Sequence, residues 1–251
     1  MNTDKAWQQW GEKDPYFGVF TDTKYRKENL TEEAKQDFFN SGDQYIQQVL
    51  ITIKEKLYPN FSPNSALDFG CGTGRLLLPL AKICNRVVGL DISDAMLQES
   101  QKNLSAYPHV SLYKSDDQFS KLKGQHFDFV NTFIVLQHIP KQRVLNILEH
   151  LIQSVSIDGV GVIHLTYAKT KFRDNLGIPP DSMFYQLKNA LINGKKRMMA
   201  FFNSKQEPEM QMNLHSLNQA FFLLQNFGIK NMYTEFTNHD GALGITLYFR
   251  K

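Results

Sequence analysis

Cysteine is scarce in this chain, which has only Cys71 and Cys84 among 251 residues. Two cysteines build neither a disulfide framework nor a cysteine-rich metal site. Their scarcity is typical of proteins from a reducing compartment, and we therefore expect a cytoplasmic protein.

Long apolar runs are also missing. No run approaches the ~18 apolar residues that a membrane-spanning helix needs. The first residues, MNTDKAWQQWGEKD, are polar and lack the apolar centre of a signal peptide. The sequence thus predicts no membrane span and no secretory leader.

Neither sign of charge is in large excess, because 28 Lys and Arg face 25 Asp and Glu and leave a net charge of +3. Proteins that bind nucleic acid usually concentrate basic residues on one face, so we expect no nucleic-acid partner. With 42% hydrophobic residues, the chain is long enough to bury the core of one domain.

Apolar runs alternate with helical patterns through the middle of the chain. Five runs have the character of strands, namely SALDF, RVVGLD, VSLYK, FDFVNTF and GVGVIHLTY. Strands separated by helices favour right-handed crossovers and a mostly parallel sheet. The last two predicted strands, IKNMYTEF and ALGITLYFR, are joined by polar residues and predict an antiparallel hairpin at one edge.

The two ends of this core carry additional segments. Thr31 begins a predicted helix that Ser41 and Gly42 interrupt, and a second helix begins at Asp43. We divide the single domain into an N-terminal helical cap (1–44), a core (45–167 and 213–251) and an insertion after the fifth strand (168–212). A further helix is predicted near 183–192.

The stretch ALDFGCGTGRL, residues 66–76, has the glycines of a nucleotide-binding turn between a strand and a helix. It fits the dinucleotide pattern G-x-G-x-x-G poorly, because Arg75 stands where the last glycine belongs. Asp68 opposes a diphosphate, since one pair of like charges at roughly 4 Å costs about 4 kcal/mol at an effective dielectric near 20. The same acid favours a ligand with an ammonium group, such as S-adenosylmethionine (SAM).

Two further acids follow the next strands. Asp91 closes the second strand twenty-one positions after Gly70, the offset at which an acid accepts the ribose hydroxyls of an adenosine. Asp116, in SDD after the third strand, offers a carboxylate to the adenine amino group. Each acid alone is also typical of a helix cap or a turn. Their order along the chain favours the cofactor site.

These motifs resemble those of the class I SAM-dependent methyltransferases. LDFGCGTGR, VVGLDIS, YKSDD, FDFVNTFIVLQHIP and SIDGVGVIHL follow one another as that family's motifs do, from about residue 64 to 168. The end of the chain, LLQNFGIKNM…GITLYFRK, is similar to its last helix and edge hairpin. The resemblance implies a Rossmann-like three-layer α/β/α sandwich with a seven-stranded, mostly parallel sheet whose strand 7 is antiparallel.

The resemblance also implies a cofactor site for SAM and its product S-adenosylhomocysteine (SAH). The methionyl part would lie among Asp68, Gly70, Cys71, Gly72, Gly74 and Arg75. Asp91 would bind the ribose, with Ile92 and Met96 nearby, and Asp116 and Asp117 would flank the adenine. Asn131 and Phe133 would lie beside the sulfonium.

His138, in LQHIP after the fourth strand, is the candidate general base, although a structural role or a helix cap fits it as well. His164, inside a predicted strand, reads as a buried residue. No metal-binding constellation is present, so we expect methyl transfer to oxygen or nitrogen of a small molecule without a metal. A non-catalytic SAM-binding scaffold is one alternative, and a nicotinamide-dependent oxidoreductase is another, less favoured by Asp68 and Arg75.

Substrate choice is expected to fall to the cap and the insertion, acting as lids. The aromatic and basic residues predicted to contact an acceptor are Tyr16, Phe17, Tyr25 and Arg26 in the cap, and Phe184, Tyr185, Arg197 and Phe201 in the insertion. The basic and aromatic stretch 195–202 also fits a helix that binds a membrane surface or a partner.

Overall fold

The computed structural model describes residues 3–180, 191–192 and 207–251. Its strands are β1 (Ser65–Phe69), β2 (Arg86–Asp91), β3 (Val110–Lys114), β4 (Phe127–Thr132), β5 (Val155–Lys169), β6 (Met232–His239) and β7 (Ala242–Arg250). They form one sheet in the order β3-β2-β1-β4-β5-β7-β6. Pairing is parallel from β3 to β5, and β7 is antiparallel to both of its neighbours. The predicted sheet and its edge hairpin are confirmed.

Helices cover both faces of this sheet. They are α1 (Thr3–Lys13), α2 (Pro15–Val19), α3 (Glu32–Lys56), α4 (Leu77–Ile83), α5 (Asp94–Asn103), α6 (Lys141–Ser154) and α7 (Leu217–Asn226). The apolar stripes of α6 and α7 pack on one face, and those of α3 and α4 pack on the other. Because each face is covered, the inner strands β1, β2 and β4 are buried almost throughout, whereas the edge strands β3 and β6 are not. The three-layer sandwich is therefore confirmed.

The strand order places a crevice at one edge of the sheet. The chain moves outward from β1 to β2 and β3, and then crosses back to β4 on the other side of β1. Ligands of open α/β sheets bind where the order reverses, beyond the carboxyl ends of the strands. The glycine loop after β1 and the turn after β4 both lie at this position.

The predicted break at Ser41 and Gly42 is wrong, since α3 runs without interruption from Glu32 to Lys56. Thr31 caps it as expected, accepting a hydrogen bond from the amide of Ala34. Gly42 has a packing role instead, because a Cβ there would lie 2.2 Å from the carbonyl oxygen of Arg75. The proposed boundary at 44/45 consequently falls inside one helix.

Residues 3–19 form two helices that the sequence pattern did not indicate. They lie against α5: a Cβ at Gly11 would meet the Ser93 hydroxyl at 2.5 Å. The Tyr16 hydroxyl bonds to Glu99 and Asn103 of α5 at 2.9 and 3.0 Å. The N-terminal segment is thus held over the carboxyl ends of β1 and β2.

Much of the predicted insertion lies outside the described residues. This applies to most of the helix expected near 183–192 and to Phe184, Tyr185, Arg197 and Phe201. Across the described ranges, no helix is both long and apolar enough to cross a bilayer.

Candidate functional site

A cavity of about 830 Å³ opens at the carboxyl ends of the parallel strands. Its volume is in the upper part of the range of about 300–1,000 Å³ that is usual for ligand sites. The glycine loop, the ends of β2 and β4, the β6–β7 hairpin and the N-terminal helices all contribute to its wall. It therefore joins the predicted cofactor residues to parts of the chain far away in sequence.

The glycine loop between β1 and α4 needs glycine for two reasons. Gly70, Gly72 and Gly74 have φ angles of 76°, 53° and 89°, a region that other residues rarely adopt. A Cβ at Gly70 would lie 2.4 Å from Val135, and one at Gly72 would lie 2.5 Å from Val19. Gly70 and Gly72 line the cavity, whereas Gly74 faces Ser100 of α5 and supports the loop from behind.

Asp68 is buried at the end of β1 and lines the cavity. Its Oδ1 accepts a hydrogen bond of 2.8 Å from the side-chain amide of Asn131 on the adjacent strand. Burial raises the pKa of Asp68 to about 7, although this bond and the charge of Arg75 both act to lower it. Asn131 itself is fully buried behind Asp68 and is not part of the cavity wall.

Arg75 places a guanidinium on the same wall as Asp68. One terminal nitrogen donates to the Ser41 hydroxyl at 3.3 Å. Its Nε is buried and finds no hydrogen-bond partner within the described part of the chain. A buried N–H without a partner is costly, so a ligand that accepts a hydrogen bond here would satisfy it.

Asp91 ties the glycine loop to the start of α5. Its Oδ2 accepts from the amide of Gly72 at 2.8 Å, and its Oδ1 accepts from the amide of Ser93 at 2.9 Å. Burial raises the pKa of Asp91 and these backbone bonds oppose the shift. Ile92 and Met96 line the cavity beside it, as does Cys71, whose thiol pKa is raised well above its usual value by burial.

The two acids after β3 have different surroundings. Asp116 lies outside the cavity wall, and its carboxylate accepts from the amides of Gln118 and Ser120, both at 3.0 Å. Asp117 does line the cavity. Arg143 holds it with two bonds of 2.6 and 2.7 Å and also reaches Asp4 of α1 at 2.7 Å. Of the two acids predicted to flank the adenine, only Asp117 lines the cavity, and its contact with the adenine stays a prediction.

The turn after β4 carries backbone strain at the cavity. Ile134 lines the wall with a φ of 58°, an uncommon conformation for a β-branched residue. Such strain costs about 1–3 kcal/mol and is concentrated at functional sites. Next to it, the Phe133 ring lies on the wall and packs against Tyr45, with ring centroids 4.2 Å apart.

His138 lines the cavity with both ring nitrogens engaged. Its Nδ1 is 2.6 Å from the carbonyl oxygen of Gln211, and its Nε2 is 3.3 Å from the side-chain nitrogen of Gln137. Burial lowers the pKa of His138 to about 4, so the ring is neutral at pH 7. These contacts favour a role in positioning the turn, and catalysis by His138 stays a prediction.

The N-terminal segment contributes side chains to the cavity wall, but not the ones expected. Trp7, Val19 and Phe20 line the cavity, and we call these three residues the roof. Tyr16, Phe17, Tyr25 and Arg26 do not line it. Tyr25 is buried and its hydroxyl donates to Asp37. Arg26 stacks on Phe17 and pairs with Asp14 and Glu207.

Sequence reasoning also missed the individual residues of the far wall of the cavity, although it assigned part of that wall, the insertion 168–212, to substrate choice. That wall includes Lys169, Lys171, Met210, Met212, Asn238, His239 and Asp240. His239 packs against Phe133 and His164, and its buried Nε2 has no hydrogen-bond partner among residues that the structure describes. The expected lid at 168–212 contains Lys169, Lys171, Met210 and Met212, whereas the polar NHDG turn predicts only a hairpin connection.

Comparison with known proteins agrees with this arrangement. A family model described as "Methyltransferase domain" matches residues 66–159. Magnesium-protoporphyrin O-methyltransferase from Synechocystis is 34% identical over 87 residues, 34% of this chain and 37% of that protein. Ribosomal RNA small subunit methyltransferase A from Ligilactobacillus salivarius is 30% identical over 94 residues, 36% of this chain and 32% of that protein. The chain thus spans about a third of the length of these curated relatives.

Solved structures show the same fold along the whole chain. Magnesium protoporphyrin IX methyltransferase from Synechocystis, with bound SAH, has a TM-score of 0.61 at 18% identity and full coverage of both chains. The N-methyltransferase NodS from Bradyrhizobium japonicum, also with SAH, has a TM-score of 0.58 at 11% identity, covering 98% of each chain.

Proposed function

We propose that this chain is a class I SAM-dependent methyltransferase that transfers a methyl group from SAM to an oxygen or nitrogen of a small-molecule acceptor; the matched methyltransferase-domain model and the shared fold support this. The observation that carries the proposal is the charge pattern at the end of β1. A buried carboxylate, Asp68, and a guanidinium with a free buried N–H, Arg75, lie on one wall. This pair is complementary to the ammonium and carboxylate of an amino-acid tail.

The remaining cofactor residues fit the rest of SAM. Asp91 already orients two backbone amides and presents its carboxylate to the cavity, where a ribose diol would donate to it. Asp117 and Ser115 line the end where the adenine would lie. A diphosphate at the glycine loop would instead bring its charge close to Asp68, which disfavours a nicotinamide cofactor.

The chain's own contribution is chiefly alignment. SAM supplies an activated methyl group on a sulfonium, so the protein must hold the acceptor in line and keep water out. Holding two reactants in attack geometry accounts for about 7–11 kcal/mol of a barrier. Two hydrogen bonds fix the residues that follow the strained Ile134. The His215 ring donates to the Leu136 carbonyl at 2.8 Å, and the backbone amide of Asn213 donates to the Gln137 carbonyl at 2.6 Å.

A small acceptor is supported by the roof over the cavity. Trp7, Val19 and Phe20 cover the wall formed by the glycine loop, and Met212 lies on the far side. The relatives include enzymes named for a porphyrin and for ribosomal RNA, so the acceptor class rests on this geometry. Among the described residues, no three His, Cys, Asp or Glu side chains are grouped as a metal site would need, and transfer without a metal remains part of the proposal.

Ligand selectivity tests the assignment of the cofactor, and turnover separates an enzyme from a scaffold. We expect SAH at 100 times its dissociation constant to stabilise the protein by about 2.7 kcal/mol, with no shift from NAD at the same concentration. Labelled methyl groups should then move from SAM into a small-molecule fraction of a cell extract. A thermal shift with NAD alone would contradict the cofactor assignment. SAH binding without transfer to any fraction would indicate a scaffold.

Donor binding should depend on pH through Asp68. Below about pH 7 the carboxyl is protonated in the free protein, and the ammonium of SAH prefers the carboxylate. We therefore expect the SAH affinity from calorimetry to rise between pH 5.5 and 7 and then to level off. Asp68→Asn should remove this rise and weaken binding, whereas Asp116→Asn, outside the cavity, should preserve it. Equal slopes for wild type and Asp68→Asn would exclude Asp68 as the titrating group.

The raised pKa of Asp68 also determines how pH changes the stability of the free protein. The pKa of Asp68 is raised on folding, so its stabilising contribution is complete below about pH 4 and is lost as the pH rises through 7. Stability of the free protein and affinity for SAH thus change in opposite directions over this range.

A further inference from the structure

We propose that the cavity wall beyond β4, β5 and β7 is an acceptor subsite for a molecule with an apolar body and an acidic group, which Lys169 and Lys171 bind. The proposal rests on the proposed function, because it assigns the class of acceptor to the same cavity. Both lysines line the cavity, on the side away from the glycine loop and the end of β2.

The charges of the cavity are unevenly distributed. On the donor side, Arg143 is paired with Asp117 and Asp4, and the charge of Arg75 acts on Asp68. On the acceptor side, neither Lys169 nor Lys171 has a carboxylate within 4.0 Å among the residues that the structure describes. Cations that line a cavity without an acidic partner attract an anionic ligand.

The two lysines stand on a fixed backbone. The amide of Lys169 donates to the carbonyl of Gly177, and the amide of Thr170 donates to that of Gly241, both at 2.8 Å. The Lys169 ammonium donates to the Met212 carbonyl at 3.0 Å, which leaves two of its three protons for a ligand. Burial and the charge of Lys171 lower the pKa of Lys169, as expected where two cations share one region.

One acid lies on the same wall. Asp240, in the β6–β7 hairpin, is exposed and forms no ion pair with either lysine. The wall therefore keeps a net positive charge, with two cations against one carboxylate. His239 beside it is neutral, because burial lowers its pKa from the usual value.

The surface between the lysines and the glycine loop is apolar. Phe133, Ile134 and Met212 contribute apolar side chains to the cavity wall. The Phe133 ring is held by Tyr45 on one side and by the edges of His164 and His239. A rigid aromatic wall of this kind suits a ring-containing acceptor.

The same features disfavour two other acceptor classes. An acceptor with an ammonium group would be repelled by the two lysines. A nucleic acid is held by many phosphate contacts, about 6–10 in strong binders, and this wall offers two cations. We therefore commit to a small acid.

Binding of matched probes to the SAH-loaded full chain tests the proposal. The probes are benzoate, 2-naphthoate and indole-3-carboxylate, each with its neutral amide, and a single-stranded RNA hexamer, measured by ligand-observed NMR and calorimetry. The variant is Lys169→Gln/Lys171→Gln. Its control is Lys121→Gln/Lys123→Gln, an exposed pair with the same spacing that does not line this cavity.

We expect at least one of the acids to bind the wild type and the control equally and the Lys169→Gln/Lys171→Gln variant at least tenfold more weakly. The matching amide should bind all three proteins alike. The proposal is wrong if no acid of the set binds, if the amides bind as well as the acids, or if the variant loses nothing. Lysine-dependent binding of the RNA hexamer in preference to the acids would replace it with a nucleic-acid acceptor. SAH affinity is measured separately and should be equal in all three proteins. A lack of SAH binding in all three would count against the proposed function, not against the acceptor subsite.

Discussion

Asp91→Ala is expected to weaken SAH binding by roughly 100-fold or more. The substitution removes the carboxylate to which a ribose diol would donate hydrogen bonds. Hydrogen bonds to a charged group contribute about 1.5–3 kcal/mol each. The loss has a second source, because Asp91 accepts the amides of Gly72 and Ser93. Without it, the glycine loop is no longer tied to α5. Calorimetry with SAH measures the effect.

A second acid offers a matched control for this prediction. Asp128 accepts the amides of Asn64 and Ser65, at 3.0 and 2.9 Å, near the amino ends of β1 and β4. Asp128→Ala thus also leaves two backbone amides without their acceptor, but on the opposite side of the sheet from the cavity. We expect it to lower the free energy of unfolding in urea and to leave the SAH affinity unchanged. Equal SAH affinities for Asp91→Ala and the wild type would show that the cleft has been assigned wrongly.

The residues of the proposed donor site could be placed together from sequence because each lies at the end of a strand or just after it. Asp68 is the penultimate residue of β1 and Asp91 is the last of β2, while Gly70 and Gly72 follow β1. The carboxyl ends of adjacent parallel strands meet at one edge. Spacing along the chain therefore becomes proximity in the fold. The same logic failed by one residue after β3, since both Asp116 and Asp117 fit the pattern and only the latter lines the cavity.

The acceptor half could not be predicted because its residues come together through tertiary packing. Thr3 reaches the carbonyl of His138, 135 positions along the chain, and the His138 ring reaches the carbonyl of Gln211. Local sequence contains no signal for such contacts. The buried residues of α1 lie at helical spacing, but two of them are Thr3 and Gly11, so the sequence shows no clear apolar period there.

Gly42 is a single residue whose role could not be predicted from local sequence. Glycine lowers helix propensity by about 1 kcal/mol relative to alanine, and Ser41–Gly42 was therefore interpreted as a break. In the structure, the absence of a side chain at Gly42 allows α3 to pack directly against the carbonyl oxygen of Arg75. Tertiary contact overrides propensity here, and it also places the α3 hydroxyl of Ser41 where the Arg75 guanidinium can donate to it.

Gly72→Val is expected to abolish SAH binding at millimolar concentrations. Gly72 has a φ of 53°, and a left-handed conformation costs a residue with a Cβ about 1–2 kcal/mol. The new Cβ would also lie 2.5 Å from Cγ2 of Val19 in the roof. Both residues line the cavity, so the loop and the roof would be forced apart where the amino-acid tail is expected. Calorimetry and the free energy of unfolding in urea measure the two effects.

Two further variants separate the strain from the collision. Gly124 has a φ of 75°, and a Cβ there would meet nothing within 4 Å. Gly124→Val should therefore lower stability by about 1–2 kcal/mol while SAH binds normally. In the Gly72→Ala background, Val19→Ala removes the atom that collides but not the strain, so SAH affinity should partly return. The opposite result would be that Val19→Ala restores no SAH affinity and that Gly124→Val also loses SAH binding. Backbone strain acting through the whole fold would then explain the loss. Contact between the roof and the glycine loop would not shape the donor site.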